Sequence, residues 1–265
     1  MMMGQDIEFN QVYNKIQELL KNGKNNISVL EEKVDVELQM EYFRISKRLY
    51  KDLDKEAVLV DKDDLLDKDV SIERKKELLS SLAKIDNPEA FRIIEAYKKN
   101  PDEELVQWSK LAYQESKMVL ETSLLGEAPI FISTGLGGKG SKLRYFIVLV
   151  ANEGVVLKDW QVELVKKELD FAFTKDDGVV EDVETHSDLL MITALLPIEK
   201  NIKNTLSMVV KECNELGNFL MDSFIVTNVK NLELDEIRNM VALSKSKNNK
   251  EDMVGGDNNE LKDIL

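Results

Sequence analysis

The feature that most limits how this chain can fold is an ordered series of apolar runs and amphipathic segments between residues 143 and 229. Four runs rich in Val, Ile, Leu and Phe have the length and composition of strands. Two segments between them repeat apolar residues at three- and four-residue spacing, which predicts helices. The predicted strands are LRYFIVLVA (143–151), VVEDVET (179–185), DLLMITALLP (188–197) and FLMDSFIVTNV (219–229), and the predicted helices are 158–174 and 201–217.

This βαββαβ order resembles that of ferredoxin-like domains, in which the first and third strands lie at the centre of an antiparallel sheet. The second strand would lie at an edge, and it carries Glu181, Asp182 and Glu184, whose charge discourages pairing with other chains. The layout is also similar to that of ACT-type regulatory domains, which implies a small effector near the first strand–helix turn, ANEGVVLKD (151–159). The aromatic signature of RNA-binding domains is absent from both central strands.

The N-terminal half has helical periodicity and little strand signal. The stretch from residue 27 to about 53 predicts one long amphipathic helix. Three shorter helices follow at about 72–85, 88–99 and 102–122. The starts of the last two are marked by Asn-Pro pairs, because Asn caps exposed amides and Pro suits the first helical position.

The stretch LLSSLAKIDNPEAFRIIEAYKKNPDEELVQWSKLAY resembles a HEAT or armadillo-type helical repeat, over about residues 72–122. The resemblance implies helix pairs stacked through apolar faces, with a concave surface that binds a partner. An ordinary helical bundle remains the alternative. The fold class predicted for the whole chain is α+β, with an all-α N-terminal region followed by a ferredoxin-like domain with an antiparallel sheet. The predicted parts are a helical domain (1–125), a glycine-rich connector (126–142), the α/β domain (143–240) and a disordered polar tail (241–265).

The segment TGLGGKGSK (134–142) contains the pattern G-x-G-x-x-G, which elsewhere cradles phosphates. A dinucleotide site needs a helix after the glycines, whereas here an apolar strand follows; the Walker and protein-kinase motifs are also incomplete. Two interpretations remain, a connector that needs glycine backbone freedom and an anion-binding loop of amides and basic side chains. The candidate ligand- or anion-binding residues are Gly135, Gly137, Gly138, Lys139, Gly140, Lys142 and Arg144.

The composition of the chain argues against several classes of partner and site. The net charge of −14 argues against a polyanionic partner, so nucleic acid is not expected to bind. One cysteine, Cys213, rules out an internal disulfide, and one histidine, His186, rules out a multi-histidine metal site. The first residues show no secretory-signal pattern, and no apolar run is long enough to span a membrane, so we expect a cytoplasmic protein without a membrane partner. No metal, cofactor or catalytic constellation is predicted.

These observations favour a non-catalytic adaptor that binds a protein partner through its helical surface. The alternative is a regulatory protein that senses a small molecule through an ACT-like domain. An enzyme that uses Lys139 or Lys142 on an anionic substrate, and a homodimeric state, are left open.

Overall fold

The computed structural model describes Glu18 and residues 27–49 and 53–254, and it describes side chains up to Ser244. The chain divides into two compact units, Met1–Lys230 and Asn231–Leu265. The first unit contains a helical region and an α/β region with separate hydrophobic cores. The parts predicted as domains from the sequence stay a prediction.

The helical region consists of one short strand, five α-helices and two 3₁₀ turns within the described residues. They are β1 (Ile27–Val29), α1 (Val36–Leu49), α2 (Lys55–Val60), a 3₁₀ turn (Asp61–Leu65), α3 (Ile72–Leu82), α4 (Pro88–Lys99), a second 3₁₀ turn (Glu103–Leu105) and α5 (Val106–Leu125). The side chain of Asn87 accepts from the amide of Glu89 and Pro88 opens α4, which is the predicted cap. Helix α5 begins later than predicted, after the 3₁₀ turn.

Trp108 lies at the centre of the helical core and is fully buried. Its ring meets the Tyr42 ring of α1 edge-on at 5.1 Å between centroids, and its Nε1 donates to the carbonyl of Lys76 and the hydroxyl of Ser80 on α3. Helices α1, α3 and α5 therefore all pack against one another. This is a bundle around one centre, whereas the units of a helical repeat contact only their neighbours in a row. The predicted HEAT-like stack is wrong here.

The long helix predicted from residue 27 is also wrong at its start. Residues 27–29 form β1, which pairs in parallel with β2 (Ile130–Ile132), from Ile27 opposite Ile130 to Val29 opposite Ile132. Helix α1 starts only at Val36. The strand pairing joins segments about a hundred residues apart, so periodicity within the first segment could not reveal it.

The α/β region confirms the predicted α+β class and the βαββαβ order. Its elements are β3 (Gly138–Lys139), β4 (Lys142–Ala151), α6 (Asp159–Lys175), β5 (Val179–His186), β6 (Leu189–Pro197), α7 (Ile202–Glu215) and β7 (Leu220–Thr227). The long strands are antiparallel in the order β7-β4-β6-β5, so the first and third are central as predicted. Strand β5 is mostly exposed and carries a bulge between Val180 and Asp182, which suits an edge.

Strand β4 is the centre of the α/β core. Alternate residues such as Tyr145, Ile147 and Leu149 face the core that α6 and α7 complete. The intervening Phe146 and Val148 are buried as well, which is why the whole run is apolar. The short strand β3 pairs with the start of β4, and β7 pairs further along the same edge of β4, from Phe146 to Ala151.

The second unit is described by one helix, α8 (Leu234–Val254). The predicted boundary of the disordered tail, at residue 241, falls inside it, and residues 255–265 lie outside the described part. Among the described residues, no helix is both long and apolar enough to cross a membrane.

Candidate functional site

The glycine-rich segment Thr134–Lys142 packs closely against the backbone of neighbouring segments. A Cβ on Gly135 would lie 1.7 Å from the carbonyl oxygen of Val229, and one on Gly138 would lie 2.1 Å from that of Lys142. Gly137 has φ of 70°, and a Cβ there would lie 2.6 Å from the carbonyl oxygen of Glu31. These three glycines are needed because two backbones approach where no side chain fits.

The amides of the segment are used inside the protein. Leu136 N donates to the carbonyl of Asn228 at 3.0 Å, Gly137 N to that of Thr134 at 3.3 Å and Gly138 N to that of Glu31 at 3.3 Å. Gly140 N donates to the Glu31 carboxylate at 3.2 Å. An anion nest needs successive amides that point at the ligand, and these four have protein acceptors. Any anion binding here would therefore rest on side chains.

The basic side chains of the segment differ in how they are engaged. Arg144 makes a bidentate contact with Glu181, at 2.6 and 3.0 Å, and also donates to the carbonyl of Leu136 at 2.9 Å. The hydrogen bond to Glu181 raises the pKa of Arg144, and the same bond lowers the pKa of Glu181, with smaller contributions from the charges of Lys33 and Lys139. Arg144 thus holds the segment to edge strand β5.

The two lysines of the segment make fewer contacts within the protein than Arg144 does. Lys142 pairs with Asp177 at 3.1 Å, and that carboxylate is 84% exposed. Lys139 is exposed and lies opposite Lys142 in the β3–β4 pairing. Lys33 is exposed too, and it acts on Glu181 together with Lys139. Within residues 27–49 and 53–254, neither Lys33 nor Lys139 forms an ion pair.

A polar groove of about 540 Å³ is lined in part by Gly140 of the glycine-rich segment. One wall is formed by residues 27–32, the stretch that includes β1, and the other by α4 and α5. Its charged lining residues are Glu31, Glu32, Lys98, Lys110, Lys117 and Glu121. Gln114 crosses between the walls, where its Nε2 donates to the hydroxyl of Ser28 at 2.9 Å. The groove is thus a mixed-charge surface with lysines from two helices.

Glu32 lies between two of these lysines. Lys98 Nζ contacts one carboxylate oxygen, and Lys110 Nζ contacts the other at 3.1 Å. Lys98 Nζ also lies 4.2 Å from the centroid of the Tyr113 ring, a cation–π distance. Burial raises the pKa of Glu32, but the hydrogen bonds from Lys98 and Lys110 outweigh it, so the pKa lies below its ordinary value.

Sequence reasoning missed Glu32, Lys98, Lys110 and Lys117. The sequence could have indicated part of the groove, because one face of α5 carries polar residues at helical spacing. They are Lys110, Gln114, Lys117 and Glu121. The opposite wall is about eighty residues earlier in the chain, and nothing in the local pattern links the two.

Two further polar clusters lie inside the helical bundle. The Glu115 carboxylate accepts from Tyr42 at 2.6 Å, from Ser46 at 2.9 and 3.0 Å and from Lys84 at 2.8 Å. The hydroxyl of Ser46 is buried, so this cluster ties helices together and does not present a nucleophile. In the second cluster, Asp102 accepts from Lys75 and from the hydroxyl of Tyr97.

The remaining reactive residues are not combined into a site. Cys213 is buried in the α/β core, and burial raises the pKa of its thiol to about 12. His186 lies 3.6 Å from Glu184 on the edge strand. Among the described residues, no group of three His, Cys, Asp or Glu side chains could hold a metal ion.

Comparison with known proteins finds likeness only at the level of structure. No family model and no curated protein matches the chain. One similar solved structure is a REP-associated tyrosine transposase bound to a REP hairpin, with 12% identity and a TM-score of 0.30; the match covers 37% of this chain and 61% of that one. Another, from Deinococcus radiodurans R1, is a candidate transposase with 16% identity and a TM-score of 0.32, covering 42% of this chain and 93% of that one.

These neighbours overturn several sequence-based predictions. Neither is a HEAT-repeat or an ACT-type protein, so both family resemblances are wrong. The predicted adaptor function, the small-molecule sensor and the protein-interaction class are wrong with them. The expectation that nucleic acid is an unlikely partner is contradicted as well, since that transposase is bound to a REP hairpin. The prediction rested on the net charge, which does not tell where on the surface lysines cluster.

Proposed function

We propose that the protein binds nucleic acid through the lysines around the groove and the glycine-rich segment. The observation that carries the proposal is the position of Lys33 and Lys139. Both are exposed, and each is the chain neighbour of a residue that lines the groove, Lys33 of Glu32 and Lys139 of Gly140. The walls of the groove also hold Lys98, Lys110 and Lys117. The backbone of nucleic acid is recognised mainly by such side chains, which neutralise phosphates.

The local charge balance supports this proposal in spite of the net charge of −14. Most carboxylates of this surface already have partners: Glu181 pairs with Arg144, Asp177 with Lys142, and Glu32 with two lysines. The exposed ammonium groups of Lys33 and Lys139 form no ion pair among the described residues and act on the Glu181 carboxylate only through space. The phosphates of a nucleic-acid backbone could therefore contact two ammonium groups that no carboxylate contacts directly within the described residues.

The proposal concerns binding and assigns no strand transfer. Tyr42 and Tyr97 are buried and donate to carboxylates, and Tyr113 lies beneath Lys98. None of these hydroxyls is set up as an exposed nucleophile. We place the binding in the cytoplasm, a proposal supported by the single cysteine, which suits a reducing compartment.

The test is fluorescence anisotropy with a labelled DNA hairpin, which offers a duplex stem and a single-stranded loop together. The variant K33Q/K117Q/K139Q removes three lysines of the proposed surface. The matched control K167Q/K175Q/K211Q removes three exposed lysines from α6 and α7, so both variants have the same net charge. Salt is varied from about 50 to 200 mM, because phosphate contacts make affinity fall steeply with salt.

We expect the first variant to weaken binding by about tenfold or more. The salt slope should fall by about one for each phosphate that the variant no longer neutralises. The control should stay within about twofold of the wild type if its lysines make no phosphate contact. Equal losses in both variants, or no binding of the hairpin at the lowest salt, would contradict the proposal.

A further inference from the structure

Glu32 is held in the groove in a way that a bound anion would be held. It lies in the loop between β1 and α1, and lysines from two other helices converge on its two oxygens, Lys98 from α4 and Lys110 from α5. Both lysine side chains are about three-quarters buried, at 27% and 26% exposure, and the carboxylate is 35% exposed. Two ammonium groups on largely buried side chains that share one acceptor form a site for a small anion.

The backbone around Glu32 is fixed, so only its side chain has to move for the site to open. The carbonyl of Glu31 accepts from Gly138 N, and the carboxylate of Glu31 accepts from Gly140 N. A Cβ on Gly137 would lie 2.7 Å from the carbonyl oxygen of Glu32, which shows how closely the glycine-rich segment supports this loop. The groove next to Glu32 offers about 540 Å³, room for a phosphate and part of the molecule that carries it.

We propose that Lys98 and Lys110 form a phosphate-binding site that the Glu32 carboxylate occupies when no ligand is bound. A backbone phosphodiester carries one negative charge, as the carboxylate does, but neighbouring phosphates of the same strand reach the surrounding lysines as well, so the strand can displace Glu32, whose side chain then turns to solvent. This deepens the proposed function, on which it rests for the source of the phosphate, a nucleic-acid backbone. The two lysines bind the phosphate, and the Glu32 carboxylate competes with the phosphate for both of them.

The first test measures binding of inorganic pyrophosphate by calorimetry at low salt, with the wild type and E32Q. The matched control is E37Q, which removes one charge from an exposed residue at the start of α1. We expect E32Q to bind pyrophosphate about tenfold more tightly than the wild type, because the competitor can no longer accept from both lysines as an anion. E37Q should change the affinity by less than about twofold, since its charge is exposed and screened.

The second test does not depend on how E32Q folds. K98Q should weaken pyrophosphate binding to the wild type by about tenfold, whereas K99Q, the next residue on the same helix and exposed, should leave it within about twofold. E32Q/K98Q should lose the gain seen in E32Q. Equal effects of K98Q and K99Q would overturn the inference, and so would a folded E32Q that binds no more tightly than E37Q.

A third measurement separates this inference from the proposed function. The DNA hairpin is titrated against the wild type and E32Q under the same conditions. If E32Q tightens binding of both probes, both proposals are supported. If pyrophosphate binds more tightly but no form binds the hairpin, the phosphate site stands and the proposed function fails. If the hairpin binds and pyrophosphate is indifferent to E32Q, the phosphate site is overturned and the proposed function stands.

Discussion

The helical bundle and the α/β region fill their cores with different kinds of side chain. Among the described residues, all buried polar side chains except Gln161 and Thr205 belong to the helical region. The bundle buries Lys75, Ser46 and Ser80 and satisfies them through hydrogen bonds to side chains from other segments of the helical region. The α/β core consists almost wholly of aliphatic and aromatic side chains. One core depends on specific partners, and the other depends on apolar burial in an alternating pattern.

The largest expected effect tests whether Trp108 is the centre of the bundle. W108A should lower the free energy of unfolding by about 3–5 kcal/mol, because it leaves a cavity among three helices and removes the donor to Lys76 and Ser80. The matched variant is W160A in the α/β region, where the ring is 51% exposed, and it should cost less than about 1 kcal/mol.

Denaturant unfolding followed by circular dichroism measures both tryptophan variants, since each removes a fluorophore. Equal losses in the free energy of unfolding of the two variants would mean that Trp108 is not the centre of the bundle. The proposed difference between the two cores would then be wrong. A large loss for W160A alone would show that its edge contact with the Phe219 ring, at 5.9 Å between centroids, matters more than its exposure indicates.

This contrast also explains what the sequence could reveal. The βαββαβ order was predictable because each strand shows its burial in its own residues, as the uniformly apolar β4 and the acidic edge strand β5 illustrate. Strand β1 was not, because its apolar residues fit a helix until β2 supplies a parallel partner. The bundle resembles a repeat in sequence because three short amphipathic helices in a row have the same local pattern in either arrangement.

The candidate site shows the same limit. The glycine pattern identified a segment where backbones approach closely, but the reason lies in Glu31, Lys142 and Val229, which the pattern does not contain. The two lysines on Glu32 come from separate helices, and their convergence depends on the packing of the bundle. Local sequence can show which residues are basic, whereas their meeting point is a property of tertiary structure.

A second prediction compares one ion pair from each region. D102N should destabilise the protein by about 2–4 kcal/mol, because it leaves the ammonium of Lys75, whose side chain is 3% exposed, without its counter-charge. D176N in the α/β region should cost about 1 kcal/mol or less, because Lys200 is 45% exposed. Urea unfolding at neutral pH measures both.

The pH dependence of the D102N effect adds a check on its cause. The hydrogen bond from Lys75, followed by that from Tyr97, lowers the pKa of Asp102 below its ordinary 3.8. A lowered pKa stabilises the folded state above the ordinary value, and this contribution is lost as the pH falls through the folded-state pKa. The difference between wild type and D102N should therefore shrink below about pH 4. A difference that is constant with pH would assign the loss to packing.

A third prediction concerns Gly138 beside the α/β core, where an added Cβ would lie 2.1 Å from the carbonyl oxygen of Lys142 and 2.8 Å from the side chain of Val29. G138A should cost about 1–3 kcal/mol, because its Cβ would overlap backbone that cannot move aside. G154A, in the turn after β4, has no atom within 4 Å of its Cβ and should cost about 1 kcal/mol, from its φ of 75° alone. Thermal unfolding ranks the two variants, and equal losses would show that the backbone around Gly138 can move aside for a side chain.

The smallest expected effect isolates the titration of a single buried hydroxyl. Burial, followed by the charge of Glu115, raises the pKa of Tyr42 well above its ordinary 10.0. A raised pKa stabilises the folded state fully below the ordinary value, and this stability is lost as the pH rises toward the folded-state pKa, because the unfolded chain releases the proton first. The wild type should thus lose stability above about pH 10, and Y42F should lose less over the same range. At neutral pH, Y42F should cost about 1 kcal/mol for the lost hydrogen bond.

S46A is the control for this prediction. It removes another donor to Glu115 that does not titrate in this range, so the stability of S46A should fall above pH 10 as steeply as that of the wild type. Parallel curves for Y42F and S46A would mean that Tyr42 ionises as easily in the folded bundle as in the unfolded chain, and that the polar core is wetter than its burial indicates.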